Sequence, residues 1–599
     1  MTGTFLLRWF LLWVGLGLLL RIGMWVYYPE GSVFPGVLAF GPGVLNDAVT
    51  FWLAPGLLAI FILVHPKIAK IGFFVVNAVI LVIVIAEGFF WLEFESRLDR
   101  LVFHYLAYPR EVIVFLEDQF FLSLVLVPFL LFVWLVCWLI GYPDPEQAKR
   151  AHALGFLVLA LVVGTFFQPV GLGGFNHSRV AEQFVSNGYL GVFQDALYDV
   201  RLPPWMPEQI ETGYPASSGH VGDKREDTQE LQEAQERDVD LQALLSSKKH
   251  LILVIEESFA GEVWRDPVLR ETYLPNFSRL SKQGLSFTNL YATGSRTTRG
   301  MEAILNGFPP LPGISTTERE GYKKLPSLAR AMSDAGFYSA FLYGGWPGFS
   351  NFSNYWRATG FQKIWSREDF DEPFETSWGV SDGALFTRIL TEMDRLTVQQ
   401  SNVFMSTLTV SHHRPYDFPD NVVQWDANAR NSAYAMAYAD QSLANFIDAA
   451  KDKAWYADTI FIVVADHGLH PRGDQLIPFN SYRIPLLILG QGIGGREYAS
   501  LGSSISIPQT VLDIFDVTSN ELFSGRSLLC DCVTPVPMEY GYHVGLLSEQ
   551  QLDVVSRDGR SVTWYLDDDQ VVEQVQEVED VHQDVLDFFA PALRWYYAR

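Results

Sequence analysis

The chain has 599 residues, 49% of them hydrophobic, and a net charge of −25. That length exceeds an ordinary single domain, and so acidic a chain repels nucleic acid. Three cysteines are too few for a disulfide-rich scaffold.

Five apolar stretches open the sequence, at residues 9–28, 48–65, 71–92, 120–140 and 151–169. Each is long enough for a hydrocarbon core of ~30 Å, which takes about 20 residues of helix. A cleaved leader would account only for the first. Lys and Arg in the short loops set the orientation. Arg8 precedes the first span, Lys67 and Lys70 separate the second and third, and Lys149 and Arg150 separate the fourth and fifth. The loop at 29–47 has neither residue type, whereas the loop at 93–119 carries Arg97, Arg100 and Arg110 and weakens the pattern. The simplest topology puts the N-terminus in the cytoplasm and everything after residue 170 outside. Residues 1–170 carry 9 Lys and Arg against 11 Asp and Glu, so −23 of the −25 falls on the other 429 residues. An anionic substrate there needs a metal or a local cationic cluster to offset that field. Cys137 lies in the fourth span. Cys530 and Cys532, two residues apart, have a strained spacing for a disulfide.

Residues 171–204 read as a partly helical connector. Residues 203–249 read as a linker with Pro203, Pro204, Pro207 and Pro215, followed by one exposed acidic helix. From His250 strands and helices alternate. Short apolar runs at 250–255, 338–343, 403–410, 459–464 and 485–489 predict strands buried on both faces. Helical patterns at 274–283, 298–305, 325–335, 383–396 and 431–452 intervene. The alternation predicts a mostly parallel sheet covered by helices, with ligands bound at the C-terminal strand ends.

Chemistry gathers at those ends. The first strand runs into Glu256-Glu257-Ser258, and a carboxylate just past a buried run is costly without a partner or a metal. The run at 459–464 leads to Ala465-Asp466-His467-Gly468, a pair suited to Mn, Zn or Mg, with Gly468 permitting a sharp turn. Between them, Gly294-Ser295-Arg296-Thr297-Thr298-Arg299-Gly300 enters a helix. A hydroxyl there serves ordinarily as a cap. It equally suits a nucleophile, because amides and dipole stabilise an anion and a metal activates the hydroxyl. A further strand end carries Ser411-His412-His413-Arg414-Pro415, fit to bind a phosphate or assist a leaving group.

This order of motifs, Glu-Ser, Pro275-Asn276-Phe277 opening a helix, Gly-x-x-Thr, His-x-Pro and Ala-Asp-His, resembles the lipoteichoic acid synthase and phosphoglycerol transferase branch of the alkaline phosphatase–sulfatase superfamily. The five-span anchor before an exported head is also similar to that branch. The resemblance implies a five-helix transmembrane domain at 1–170 and a connector at 171–248. It implies an α/β sulfatase-like catalytic domain at 249–540 and a C-terminal subdomain at 541–599. It implies a divalent metal, most often Mn with Zn or Mg as alternatives, held by Glu257, Thr297, Asp466 and His467. Thr297 is the implied nucleophile, with Thr298 the fallback. His413, Arg414, Asn351 and Arg299 are the implied substrate contacts, with His413 meeting the phosphate. One departure stands out: where that branch has a Trp and an Arg gripping glycerol phosphate, this chain has Ser350 and Phe352.

The activity so implied is transfer of a phosphoglycerol-type head group from a phospholipid such as phosphatidylglycerol. The acceptor is a membrane-associated glycan or lipid, and the reaction takes place outside a bacterial inner membrane. A sulfatase requires a Cys or Ser convertible to formylglycine, which Thr297 is not. A phosphoethanolamine transferase shares the anchor and the threonine but resembles disulfide-rich heads. A phosphodiesterase, or a degenerate head acting as a sensor or scaffold, is the remaining alternative. An intact Glu, Thr, Asp, His set disfavours the degenerate head, because each group loses stability without a ligand.

Overall fold

The computed structural model describes residues 3–26, 33–94, 97–98, 122–143, 150–167, 179–187, 241–259, 261–372, 374–376, 378–420, 431–469, 471, 473, 475–530, 534–556, 559–567, 570–578 and 583–597. The chain forms two compact units, Met1–Leu202 with Arg472–Leu476, and Pro203–Pro471 with Ile477–Arg599.

The first unit is helical. Among the described residues, three helical stretches are long and apolar enough to cross a membrane: Gly3–Val26, Ala39–Val64 and Pro66–Gly88. These coincide with the first three expected spans. The fourth and fifth fall on the shorter apolar helices Val127–Ile140 and Arg150–Gly164. Their outward faces are apolar, with Leu19, Ile71, Val82, Trp134 and Trp138 exposed, which suits lipid rather than water.

Inside this unit lies a polar cluster. Arg21 pairs with Asp47, and both are buried. Arg21 Nε donates to the Phe184 carbonyl at 2.7 Å and Nη2 to the Ser186 carbonyl at 3.0 Å. Asn46 donates to the Val185 carbonyl at 2.9 Å. Asn187 donates to Asp47 Oδ1 at 2.7 Å and to Thr50 Oγ1 at 3.1 Å. These bonds satisfy carbonyls left over at the C-terminus of the helix Arg179–Val185, and a guanidinium complements that end of the helix dipole.

The second unit is built on one sheet. Its strands are β1 (His250–Glu256), β2 (Leu285–Tyr291), β3 (Tyr338–Tyr343), β4 (Lys363–Trp365), β5 (Val403–Leu408), β6 (Thr459–Ala465), β7 (Arg483–Gly490), β8 (Arg496–Tyr498) and β9 (Gly502–Ser503). The order is β4-β3-β5-β1-β6-β7-β2-β8, with β9 also on β2. β4, β3, β5, β1 and β6 run parallel. β7 is antiparallel to both neighbours, so the strand expected at 485–489 exists but runs against the others. Every residue of β1, β5 and β6 is buried, the pattern of a sheet covered on both faces. The central register places Glu256 beside Ala465 and Ile255 beside Leu408. The Glu-Ser, His-His and Asp-His segments therefore leave the sheet at one edge.

The expected linker and most of its helix lie outside the described residues. Residues 241–246 are helical and bury Leu241 and Leu245, so this portion is not the exposed helix expected. A second, five-stranded antiparallel sheet occupies β10 (Val536–Tyr540) to β14 (Gln570–Val578) and precedes the helix Gln583–Tyr597. It starts before the expected boundary at 541. Cys137 is free and buried. Cys530 is disulfide-bonded.

Candidate active site

Four strand-end segments converge. Glu257, one residue past β1, is buried, and its backbone N–H donates to Thr409 Oγ1 at 2.9 Å. Thr409 in turn donates to Glu256 Oε2 at 3.0 Å. The adjacent carboxylates thus have separate environments: Glu256 turns into the protein and Glu257 toward the site. Burial first, then the Asp382 charge, hold the Glu256 carboxyl well above its ordinary range. Burial alone would also raise Glu257, but the pull of His413, His467 and the Ser258 hydroxyl brings it below that range.

Ser258 follows in the left-handed region, φ 52°, where non-glycine residues are uncommon. That turn lets its N–H donate to Asp466 Oδ1 at 2.8 Å while its hydroxyl donates to Glu257 Oε1 at 2.7 Å. Asp466, one residue past β6, also accepts from the His467 N–H at 2.7 Å. Burial and the Glu257 charge push its carboxyl well above the ordinary range.

Thr297 is the first residue of the helix Thr297–Asn306. Its hydroxyl donates to Glu257 Oε2 at 3.2 Å. The helix-start position is Arg296, whose side chain makes no cap bond, so neither threonine is the cap that a hydroxyl there usually provides. Close approach of this helix to β6 requires Gly300, where a Cβ would fall 2.5 Å from the Asp466 carbonyl oxygen.

The ligand atoms of Glu257, Asp466 and His467 lie within 4.8 Å of one another. His467 Nδ1 sits 2.7 Å from the Gly468 carbonyl. It therefore carries the proton and leaves Nε2 as an acceptor, 3.6 Å from both Glu257 Oε1 and Asp466 Oδ2. Asp466 Oδ2 is buried and accepts no hydrogen bond. Two buried carboxylates so close are unfavourable without a cation. The donor set of carboxylates, imidazole and hydroxyl fits a divalent metal.

The expected substrate contacts divide. His413 is half-buried, with Nδ1 3.0 Å from the Arg414 carbonyl. Arg414 Nε donates to Tyr416 Oη at 3.2 Å. Arg299 is instead structural. Its buried guanidinium pairs with Glu302 and Glu539 at 3.0 Å each and donates to the Leu311 and Gly313 carbonyls. A guanidinium so committed does not grip a substrate. Asn351 donates to the Thr317 carbonyl at 3.1 Å and accepts from Asn354 at 2.8 Å, so its amide shapes a loop.

Several residues support the site in ways that the sequence did not assign to them. His412 is buried between the Glu257 carbonyl, 3.2 Å away, and Ser432 Oγ, 3.0 Å away. Burial lowers its pKa to about 4, so the ring is neutral. The Val410 and Ser411 N–H groups both donate to Asp382 at 3.0 Å, fixing the histidine loop. Trp378 packs on the His413 ring. Only His412 had a visible signal, its adjacency to His413; nothing in the sequence marks Trp378 or Asp382.

Residues 249–517 match the Sulfatase family model. The chain is 22% identical over 423 residues to the lipoteichoic acid synthase-like protein YvgJ of Bacillus subtilis, covering 65% of this chain and 66% of that one. It is 22% identical over 236 residues to phosphoglycerol transferase I of an Escherichia coli strain, covering 37% and 31% respectively. These alignments span less than two thirds of the relatives' own lengths. A solved alkaline phosphatase superfamily protein from Vibrio parahaemolyticus is 28% identical, with a TM-score of 0.53 over 61% of this chain and 95% of its own. The lipoteichoic acid synthase LtaP of Listeria monocytogenes shares the fold at 18% identity, with a TM-score of 0.51 over 61% and 97%.

Proposed function

We propose, on the premise that residues 249–517 are a Sulfatase-family domain of the alkaline phosphatase superfamily, that this protein transfers a phosphoglycerol-type head group. The donor is a membrane phospholipid such as phosphatidylglycerol, and the acceptor is a hydroxyl on a membrane-associated glycan or lipid. The observation that carries the reading is the Thr297 hydroxyl at a helix N-terminus, bonded to Glu257 beside Asp466 and His467. The relatives named for lipoteichoic acid synthesis and phosphoglycerol transfer supply the substrate class.

In this reading Glu257, Thr297, Asp466 and His467 would hold a divalent cation, with Mn the first choice and Zn or Mg alternatives. Bound there, it would supply charge neutralisation for the donor phosphate and a lowered pKa for the threonine hydroxyl. Thr297, its hydroxyl proton released to solvent, attacks phosphorus in line; the phosphoglyceryl ester forms as the bond to the diacylglycerol oxygen breaks. His413, as the imidazolium with protons on both nitrogens, gives that oxygen the Nε2 proton. The acceptor hydroxyl then gives its proton to Nε2 as it attacks the ester, and Thr297 leaves as the alkoxide that begins the next cycle. Helix N-terminal amides stabilise charge on the transferring group. His412, neutral and buried, keeps the Glu257 backbone in place.

The reading extends to five spans at 9–28, 48–65, 71–92, 120–140 and 151–169 and a multi-pass protein of a bacterial inner membrane. The catalytic domain at 249–540 and subdomain at 541–599 stand on the outer side, joined through a connector at 171–248. Reporters fused at residues 148 and 230 test this: activity is expected in the cytoplasm for the first and outside for the second. For the chemistry, the purified full chain is incubated with phosphatidylglycerol and Thr297 is examined by mass spectrometry. A phosphoglyceryl adduct on Thr297 is expected. Diacylglycerol release without any such adduct in a rapidly quenched sample would rule out the covalent route.

A further inference from the structure

Trp378 stands in the segment between β4 and the helix Asp382–Gln399. Its backbone is held from several sides. The Trp378 and Gly379 N–H groups each donate to Thr376 Oγ1 at 3.0 Å, and Thr376 N–H donates to the Gly379 carbonyl at 2.7 Å. Gly379 bridges to Gly345 just past β3, with φ at 156° and a backbone contact with Gly344 that leaves no room for a Cβ. These bonds hold the Trp378 backbone at the site edge.

There it meets His413. The ring centroids are 3.8 Å apart with planes inclined at 45°. The indole Nε1–H donates to the Arg414 carbonyl, which also accepts from His413 Nδ1 at 3.0 Å. A carbonyl is only an acceptor, so Nδ1 carries a proton and Nε2 is the nitrogen left for chemistry. Two rings sharing one carbonyl leave the imidazole little rotational freedom.

We infer that Trp378 is the positioning residue for His413: its face fixes the imidazole plane, and its Nε1–H anchors the shared Arg414 carbonyl. Nε2 is thereby aimed at the oxygen that leaves or attacks. Trp378 itself touches no reacting atom. The inference rests on the reading of His413 as proton donor and acceptor.

The test uses the full chain in detergent with phosphatidylglycerol, measuring kcat and KM for diacylglycerol release. The variants are Trp378→Phe, Trp378→Ala, His413→Ala and the double variant Trp378→Ala/His413→Ala. Metal content checks the fold of each. Trp378→Phe keeps the ring and loses the N–H, so it is expected to lower kcat by about 3- to 10-fold with KM unchanged. Trp378→Ala is expected to lower kcat by about 10- to 100-fold, a share of the 10²–10⁴-fold typical of general acid–base catalysis. In the His413→Ala background the Trp378→Ala change should cost nothing further. A full additional loss in the double variant, or an effect on KM alone, overturns the inference. If His413→Ala impairs kcat and Trp378→Ala does not, the inference falls while the role of His413 stands. If His413→Ala leaves kcat intact, the role of His413 falls first and takes the inference with it.

Discussion

Two of the charge clusters buried among the described residues are finished to different degrees. In the helical unit, Arg21 and Asp47 neutralise each other, and surrounding hydrogen bonds run to Asn187, Thr50 and the carbonyls of Phe184, Val185 and Ser186. In the α/β unit, Glu257 and Asp466 bring two carboxylates against one imidazole, and Asp466 Oδ2 accepts nothing. A buried charge is tolerable when it is paired and hydrogen-bonded. The first cluster meets that condition from within the chain and serves as a fastening. The second meets it only with a cation added, which is how a binding site differs from a structural ion pair.

The widest separation should come from the proposed nucleophile. Thr297→Ala removes one hydroxyl and leaves Glu257, Asp466 and His467 in place. Turnover on phosphatidylglycerol should fall by several orders of magnitude, the usual scale for a lost nucleophile, while metal bound per chain stays near that of the parent. Equal turnover in the two proteins would remove Thr297 from the reaction.

The finished cluster should respond in stability. Asp47→Asn leaves Arg21 buried without its counter-charge, and breaking such a pair typically costs about 3–5 kcal/mol. Thermal unfolding of the purified chain should shift down accordingly, and the Arg21→Met/Asp47→Leu double variant should recover much of the loss. If Asp47→Asn melts with the parent, the pair is not a fastening.

At the unfinished cluster the same kind of substitution should act in the opposite direction. Asp466→Asn in the presence of a chelator relieves repulsion with Glu257, so it should stabilise the metal-free protein by about 1–3 kcal/mol, the scale of an unsatisfied buried polar group. Adding Mn should raise the melting temperature of the parent by mass action and leave the variant unmoved. A less stable metal-free Asp466→Asn would mean that the carboxylate is already satisfied by the chain.

What the sequence disclosed follows the same division. The catalytic sheet was legible because buried parallel strands leave continuous apolar runs, and β1, β3, β5 and β6 fell where those runs lie. β2, whose apolar run is broken by Ser286, Thr288 and Asn289, the short β4, β8 and β9, and the second sheet were missed, since brief or interrupted strands leave weaker patterns. The direction of β7 was not readable, because periodicity carries no information about polarity. Glu257, Asp466 and His467 were visible as polar residues interrupting apolar runs. Arg299 is instructive: a charged residue beside a candidate nucleophile looks like a substrate contact, while its guanidinium is committed within the chain. Its partner Glu539 lies 240 positions away, on β10 of the second sheet, which local spacing does not reveal. The Arg21 and Asp47 pair was likewise hidden, being two isolated charges in apolar stretches.

The smallest effect should fall next to the largest. Thr298 shares its residue type and helix turn with Thr297, and it is the fallback nucleophile of the resemblance. The structure gives the helix start to Arg296, without a side-chain cap. Thr298 is the second residue of the helix and half-exposed, so its hydroxyl does not supply the ~1 kcal/mol of a cap. Thr298→Ala also gains slightly in helix propensity. The net change in stability should stay within about 0.5 kcal/mol, as for an ordinary surface substitution, and kcat should stay within about 3-fold of the parent, under ~0.7 kcal/mol of barrier. Thermal melting and diacylglycerol release measured side by side for Thr297→Ala and Thr298→Ala decide the matter. A collapse of turnover in Thr298→Ala with Thr297→Ala unaffected would move the nucleophile one residue along the helix and reassign the bond to Glu257 as a structural one.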